Sequence, residues 1–147
     1  DGLDQPWGHA QPLGKVLPTQ FDNPPVLGPA GRVHCTPADW ARFLTLHLNG
    51  AIGKPRLLTR ETFQTLHTPV GEGSEYAGGW MVVPRPWAGG NVLIHSGSNT
   101  LWYATAVIAP HKERAWFAIT NIGGTSGQTA CDEALTALIR QVLPPGP

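Results

Sequence analysis

Proline and glycine interrupt the first 35 residues so often that no helix or strand of ordinary length is expected there. Six prolines and five glycines lie in this segment. Proline removes a backbone donor and fixes φ, while glycine loosens the chain, so both end regular elements. Loops of this length are uncommon inside compact domains. We therefore predict that residues 1–35 are irregular and lie over a partner or over a part of the same protein that is missing from this sequence.

The composition indicates a globular chain. Six Trp, four Phe and two Tyr provide enough apolar area for a core, which argues against disorder. Ten basic residues balance ten acidic ones, so the basic surplus of a nucleic-acid binder is missing. No apolar run approaches the roughly 20 residues of a membrane-spanning helix. The sequence carries no signal-peptide pattern, and periplasm and cytoplasm both stay open as compartments.

Regular structure is predicted to begin at Thr36. Thr36-Pro37-Ala38-Asp39 combines an N-cap hydroxyl, a proline at the first helical position and an acid that favours the N-terminal dipole. The helix should end at Asn49-Gly50, where glycine permits a left-handed stop. Between these points, apolar positions recur at helical spacing: Trp40, Phe43, Leu44, His47 and Leu48.

The remaining elements are a short helix, four strands and a long helix. The short helix is predicted from Thr59 to before Pro69, with Phe63 and Leu66 buried. Short runs of aromatic and β-branched residues predict the strands Tyr76–Val83, Val92–His95, Leu101–Ala109 and Arg114–Asn121. The hairpin-length turn 110–113 between the last two indicates an antiparallel meander.

A final helix is predicted from about Gly127 to Leu143. Its apolar stripe should cover one face of the sheet and consists of Ala134, Leu135, Leu138, Ile139 and Val142. The fold class is therefore α+β, an antiparallel sheet of three to four strands packed by a C-terminal helix. Within residues 1–147 we distinguish an irregular segment at 1–35, a helical segment with one to two helices at 36–70, and the sheet with its helix at 76–143.

Other aromatic, histidine and cysteine side chains are predicted to have structural roles. Core packing is expected for four tryptophans, Trp40, Trp80, Trp102 and Trp116. Surface or capping positions are expected for three histidines, His34, His47 and His67. Two cysteines are too few for a disulfide scaffold, and we expect Cys35 and Cys131 to be buried free thiols.

The stretch best suited to a functional site is 91–99, an apolar strand that ends in a polar, glycine-containing edge. Gly97 permits close approach of a ligand, and neighbouring N–H groups can face a developing negative charge. The alternative is an ordinary hairpin turn with His95 at the strand end. The sequence contains no zinc-ligand spacing around His34-Cys35, no G-x-S-x-G elbow and no phosphate loop.

Five segments follow one another in the order of a known family. They are Pro29–Phe43, Leu57–Thr59 with Phe63 and Leu66–Pro69, Tyr76–Trp80, His95–Gly97, and Pro110 with Thr120–Gly124. Over roughly residues 25–142 the chain resembles the C-terminal part of the serine β-lactamase and penicillin-binding-protein superfamily. Class C β-lactamases and their esterase-like relatives are the nearest members.

The resemblance implies roles for the strand edge, because a Lys-x-Gly or His-x-Gly strand forms one wall of the family's active site. His95 and Ser96 would be polar wall residues, and Gly97 would allow close approach of the substrate. The Ser98 N–H would be one oxyanion-hole donor. Beside these residues we also place Asn99 and Trp102 at the substrate, which for Trp102 is the alternative to core packing. No cofactor and no metal are implied.

The family's nucleophile motif Ser-x-x-Lys and its Tyr-x-Asn motif are absent from this sequence. The resemblance therefore implies the C-terminal fragment of an acyl-serine hydrolase that acts on a small ester, amide or β-lactam and is inactive alone. Two alternatives stay open: a non-catalytic β-lactamase-like binding or structural protein, and a free-standing α+β binding domain.

The resemblance also implies a partner for the sheet. In the family, N-terminal strands pair beside the last strand of this region. Without them, Arg114–Asn121 would be an exposed edge, and exposed edges invite pairing with another chain. We expect either the missing N-terminal half or a second copy of this chain at that edge.

Overall fold

A computed structural model describes residues 5–142 and confirms the α+β fold class. The described residues form six strands and four α-helices, connected by turns and short 3-10 segments. In chain order these are β1 (Gly8–Ala10), β2 (Leu17–Thr19), α1 (Gly28–Gly31), α2 (Pro37–Ala51), α3 (Arg60–His67), β3 (Met81–Arg85), β4 (Gly90–Ser98), β5 (Tyr103–Ala109), β6 (Arg114–Thr120) and α4 (Gly124–Val142).

The N-terminal segment is not wholly irregular, and the prediction is wrong at β1 and β2. These strands pair antiparallel, with Gly8 opposite Thr19, His9 opposite Pro18 and Ala10 opposite Leu17. Each strand has only three residues and includes one of the interrupting residues, Gly8 in β1 and Pro18 in β2. Proline is tolerated in an edge strand because one side of its backbone needs no ladder partner. Residues 1–4 of this predicted segment lie outside the described residues.

The start of α2 is confirmed, whereas its predicted end is wrong. The Thr36 hydroxyl accepts a hydrogen bond from the Asp39 N–H at 3.1 Å. The helix continues through Gly50 to Ala51, and the left-handed residue is Gly53, with φ of 75°. A Cβ on Gly50 would lie 2.3 Å from the Phe63 ring. Gly50 is therefore a packing contact between α2 and α3, not a helix stop.

Helix α3 follows its prediction. The Thr59 hydroxyl accepts a hydrogen bond from the Thr62 N–H at 3.2 Å, and the helix ends at His67. Phe63 is 1% exposed, and Leu66 is half-buried. The N-cap threonine and the apolar spacing thus identified both the position and the buried face of this helix.

The predicted antiparallel meander is confirmed, with the strand order β3-β4-β5-β6. Strand β3 pairs with β4 from Met81 opposite Ile94 to Arg85 opposite Gly90. The first predicted strand began too early, because the Ala77 N–H donates to the Trp80 carbonyl at 2.8 Å and closes a turn there.

Helix α4 buries the predicted stripe only in part: Leu135 is buried and Ile139 half-buried, whereas Ala134 is exposed. Leu138 and Val142 are 41% and 47% exposed, while the buried residues are Gly127, Cys131 and Leu135. A Cβ on Gly127 would lie 2.1 Å from the Ile122 carbonyl oxygen. The helix also approaches the chain through small residues on this side, and a pattern of large apolar side chains does not identify them. The predicted end, Leu143, lies outside the described residues.

The described residues divide into two compact units. The first comprises 5–34, 96–105 and 118–142, and the second comprises 35–95 and 106–117. In the first unit, α4 packs near Tyr103, whose carbonyl oxygen lies 3.7 Å from the Cys131 Sγ. The core of the second unit is a cluster of five buried residues, Leu44, Trp80, Leu93, Ala106 and Ile108.

Candidate functional site

Strand β4 presents the predicted site residues at its C-terminal end. Because side chains alternate along a strand, His95 and Gly97 share one face and Ser96 and Ser98 the other. His95 is exposed, and its ring meets the buried Trp80 ring edge-on, with centroids 6.4 Å apart. The imidazole is therefore supported on one side and accessible on the other.

Gly97 lies beside open space. Among the described residues, no heavy atom approaches within 4 Å of the position that a Cβ would occupy there. The φ angle of Gly97 is also not in the positive, left-handed region. Neither backbone conformation nor packing within the described residues therefore requires glycine here, although glycine in a strand weakens it. Close approach by another molecule or chain segment would explain the choice.

The two serine hydroxyls are engaged in hydrogen bonds to neutral groups. Ser96 Oγ donates to Thr105 Oγ1 on β5 at 2.8 Å, and Thr105 is buried. Ser98 Oγ donates to the Trp102 carbonyl oxygen at 2.5 Å and accepts from the Thr100 N–H at 3.0 Å. A threonine hydroxyl and a backbone carbonyl are poor proton acceptors, so neither contact activates a serine as a nucleophile.

Asn99 completes the turn between β4 and β5. Its Oδ1 accepts from the N–H groups of Leu101 at 3.2 Å and Trp102 at 3.0 Å. Thr100 takes a left-handed conformation with φ of 73°. The side chains of Ser98 and Asn99 thus hold the hairpin turn, which was the alternative interpretation of this stretch. The main-chain N–H of Ser98 is the group that the resemblance implicates, and its role stays a prediction.

Trp102 is half-buried and lies against the N-terminal strand. A Cβ on Gly8 would come within 2.5 Å of the Trp102 Nε1. The neighbouring His9 donates its N–H to the Leu101 carbonyl at 3.2 Å, and its Nδ1 lies 2.9 Å from the Asn121 carbonyl oxygen. The sequence analysis missed this anchor, because no local pattern relates residues 112 positions apart.

A second cluster, which the sequence analysis missed, surrounds His47. This residue is 6% exposed, and its Nδ1 lies 2.9 Å from the His67 Nε2. Three aromatic rings adjoin it at centroid distances of 4.6 to 5.8 Å, those of Phe43, Trp80 and Phe63. The prediction of a surface or capping position is therefore wrong for His47. The available signal was its place in the apolar stripe of α2.

Burial keeps this histidine pair neutral. Desolvation lowers the pKa of His47, and desolvation together with the repulsion from a protonated His47 lowers the pKa of His67 to about 4. At pH 7 one imidazole nitrogen donates and the other accepts within the pair. His34, by contrast, is exposed, as expected.

The other structural predictions have mixed outcomes. Trp80 and Trp116 are buried, whereas Trp40 and Trp102 are half-buried. Both cysteines are free, but Cys35 is exposed and only Cys131 is buried. Burial and the neighbouring Asp132 raise the pKa of the Cys131 thiol, which disfavours the reactive thiolate.

Within residues 5–142, metal-ligating side chains do not cluster and no helix is a candidate for crossing a membrane. Residues 5–142 contain no group of three or more His, Cys, Asp or Glu side chains able to hold a metal ion. None of the helices in this range combines the length and apolar character that crossing a membrane requires.

Comparison with known proteins adds no relative: no family model, no curated protein and no solved structure matches this chain. The function of this chain must therefore be inferred from its own residues. The most informative among them are exposed His95 and unobstructed Gly97 at the end of β4.

Proposed function

We propose that this chain is the C-terminal part of a β-lactamase-related serine hydrolase, in which β4 borders the substrate. The observation that carries the proposal is Gly97, a strand glycine beside open space and next to exposed His95. The order of the five resembling segments supports it. The substrate class is a small ester, amide or β-lactam.

The backbone of β4 would contribute electrostatic stabilisation. The Ser98 N–H belongs to a strand, so it is already oriented and need not reorganise as negative charge develops on a substrate oxygen. Gly97 would let the substrate approach this donor. The exposed His95 imidazole would hydrogen-bond to a substrate carboxylate or carbonyl.

The nucleophile would come from outside these residues. Ser96 and Ser98 donate to Thr105 Oγ1 and to the Trp102 carbonyl, so no base withdraws their protons. Acylation would then require a serine and its base on a segment that faces β4. The chain alone should be inactive.

We further propose that β6 pairs with that segment or with a second copy of this chain. Strand β6 ends the strand order of the described sheet, and Ile119 on it is 45% exposed. An end strand presents backbone donors and acceptors that can extend the sheet.

Covalent labelling tests the hydrolase proposal. The protein in its longest natural form and the 147-residue chain are treated with a fluorophosphonate probe and a fluorescent penicillin, and the modified residue is mapped by mass spectrometry. We expect fluorophosphonate labelling of the longer form at a serine outside this chain, and no labelling of the chain alone. Labelling at Ser96 or Ser98 would overturn the proposal that the nucleophile lies outside this chain. No labelling of either form would favour the non-catalytic alternative.

A variant pair tests the role of Gly97. Gly97→Val places a branched side chain in the open space and should slow labelling of the longer form by at least about tenfold, equivalent to about 1.4 kcal/mol. Gly28→Ala is the control, because its added Cβ also meets no atom within 4 Å. Equal labelling rates for both variants would show that nothing approaches Gly97.

A further inference from the structure

The second unit contains an open cleft that shares no residue with 95–102. Its volume is about 710 Å³, within the roughly 300–1,000 Å³ typical of small-molecule sites. The end of α2, helix α3, strands β3 and β4 and the 110–113 turn contribute to its lining. The residues that matter for recognition are Arg60, Gln64, His67, Val82, Asn91 and His111.

Two aromatic rings in the lining, those of Phe63 and His111, pack over glycines. The Phe63 ring covers Gly50, and the His111 ring covers Gly90 so closely that a Cβ there would lie 2.6 Å from the ring. A side chain at either position would displace an aromatic ring. Phe63 and Leu93 form the closed base of the cleft, at 1% and 4% exposed, and its accessible apolar side chains include Ile52, Val82 and Pro110.

The cleft carries one cation with spare hydrogen-bonding capacity. Arg60 Nη2 donates to the Gly53 carbonyl oxygen at 3.2 Å, which leaves four of the five guanidinium N–H groups for other partners. The acid in the lining, Glu113, lies 3.9 Å from the Lys54 ammonium, so its charge is offset locally. The cleft therefore favours an anion at Arg60.

His67 adds a neutral hydrogen-bonding group of defined orientation. Its Nε2 is held by the buried His47 Nδ1 at 2.9 Å. Because Nε2 is engaged, Nδ1 is the ring nitrogen that remains for a ligand. A ring fixed in this way needs less reorganisation to hydrogen-bond than a free surface histidine does. Gln64 and Asn91 supply further polar groups to the same lining.

We propose that this cleft is a binding site for a small organic carboxylate with an apolar or aromatic body. The carboxylate would pair with Arg60, whose fork geometry suits it. The apolar body would lie against Ile52, Val82 and Pro110, which are only half-buried. This site is independent of the proposed hydrolase activity.

Titration with two matched probes tests the proposal. 4-Phenylbutyrate and its neutral amide, 4-phenylbutyramide, are added to ¹⁵N-labelled protein, and backbone amide shifts are followed. We expect saturable shifts for the carboxylate at the cleft residues, and about tenfold weaker binding of the amide, since charge-assisted hydrogen bonds are roughly twice as strong as neutral ones.

Three variants decide the outcome. Arg60→Gln should lower the carboxylate's affinity to that of the amide, whereas Arg140→Gln, at an exposed position of α4, should leave it unchanged. Gln64→Trp, an exposed-site change on α3, should fill the cleft and abolish binding of both probes, with the folded state checked by circular dichroism. Equal affinities for the two probes, no saturable shift up to about 10 mM, or shifts confined to 95–102 would each overturn the carboxylate site. The last result would leave the hydrolase proposal standing.

Discussion

Gly50 and Gly97 both lie within regular elements, yet their surroundings are opposite. The ring of Phe63 occupies the space where a Cβ of Gly50 would project, whereas the corresponding space at Gly97 is open. The histidines nearby differ in the same way: His47 is buried among aromatic rings, and His95 is exposed. In the α2–α3 region Gly50 and His47 are enclosed by aromatic rings. At the end of β4, a Cβ on Gly97 would have no described neighbour within 4 Å, and His95 is exposed beside the Trp80 ring. That difference separates residues that stabilise the fold from candidates for function.

The strongest test of the packed region is Phe63→Ala. Removing this ring, which is 1% exposed, should lower the free energy of unfolding by about 3–5 kcal/mol. Urea denaturation followed by circular dichroism measures the loss. Phe21→Ala is the matched control, because Phe21 is 66% exposed and should change stability by no more than about 0.5 kcal/mol. Similar losses for the two variants would contradict the assigned core.

Gly50→Ala tests whether the glycine itself is a packing contact. Alanine is the better helix former by about 1 kcal/mol, so an uncrowded site would be stabilised. Here we expect a net loss of about 1–3 kcal/mol, because the added Cβ would lie 2.3 Å from the Phe63 ring. Urea midpoints of the variant and the parent provide the measurement. A more stable variant would show that the two helices are not in close contact.

Acidification should weaken the same region. The pKa values of His47 and His67 are lowered in the fold, that of His67 to about 4, while an unfolded histidine titrates near 6.5. Between about pH 6.5 and pH 4 the unfolded chain therefore binds more protons than the folded one. The free energy of unfolding accordingly decreases as the pH is lowered through this range. The slope is at most about 1.4 kcal/mol per pH unit for each such proton.

Urea midpoints at pH 7, 6 and 5 measure this dependence. His67→Gln should reduce the slope, because it removes one of the two titrating groups. His34→Gln, at an exposed position, should leave the slope unchanged. An unaltered slope in His67→Gln would mean that this pair does not control the acid sensitivity.

The smallest effect on stability is expected from Gly97→Val. The added side chain meets open space and valine suits a strand, so the free energy of unfolding should change by no more than about 0.5 kcal/mol. The same urea experiment applies. Combined with slower labelling in the longer form, an unchanged stability would separate function from folding. A large loss of stability would instead place Gly97 with Gly50 among the packing residues.

Local signals predicted the elements well where their causes are local. Thr36 and Thr59 cap their helices as expected, and the short connections between strands led to the observed meander. The position of His95–Asn99 at the end of a strand was also predictable. Its functional role stays a prediction, because the main-chain donor of Ser98 is argued from resemblance.

The errors share one physical origin. The buried face of α4, the role of Gly50 and the burial of His47 all depend on side chains from other elements. In α4 the small residues Gly127 and Cys131 allow close approach and are buried, while larger Leu138 stays exposed. A hydrophobic pattern reflects how favourably each side chain is transferred out of water. It contains no information about which surface of a helix another element covers.

The amino-acid sequence by itself determined the kinds of elements from α2 onward, the starts of α2 and α3 and the antiparallel order of the four-stranded sheet, because capping, periodicity and short turns act within a few residues. Tertiary structure decided which glycines are contacts, paired His47 with His67, and joined β1 to Asn121 across 112 positions. Those outcomes depend on packing between residues distant in the chain. Such packing is a property of the folded whole and leaves no periodic mark in the sequence.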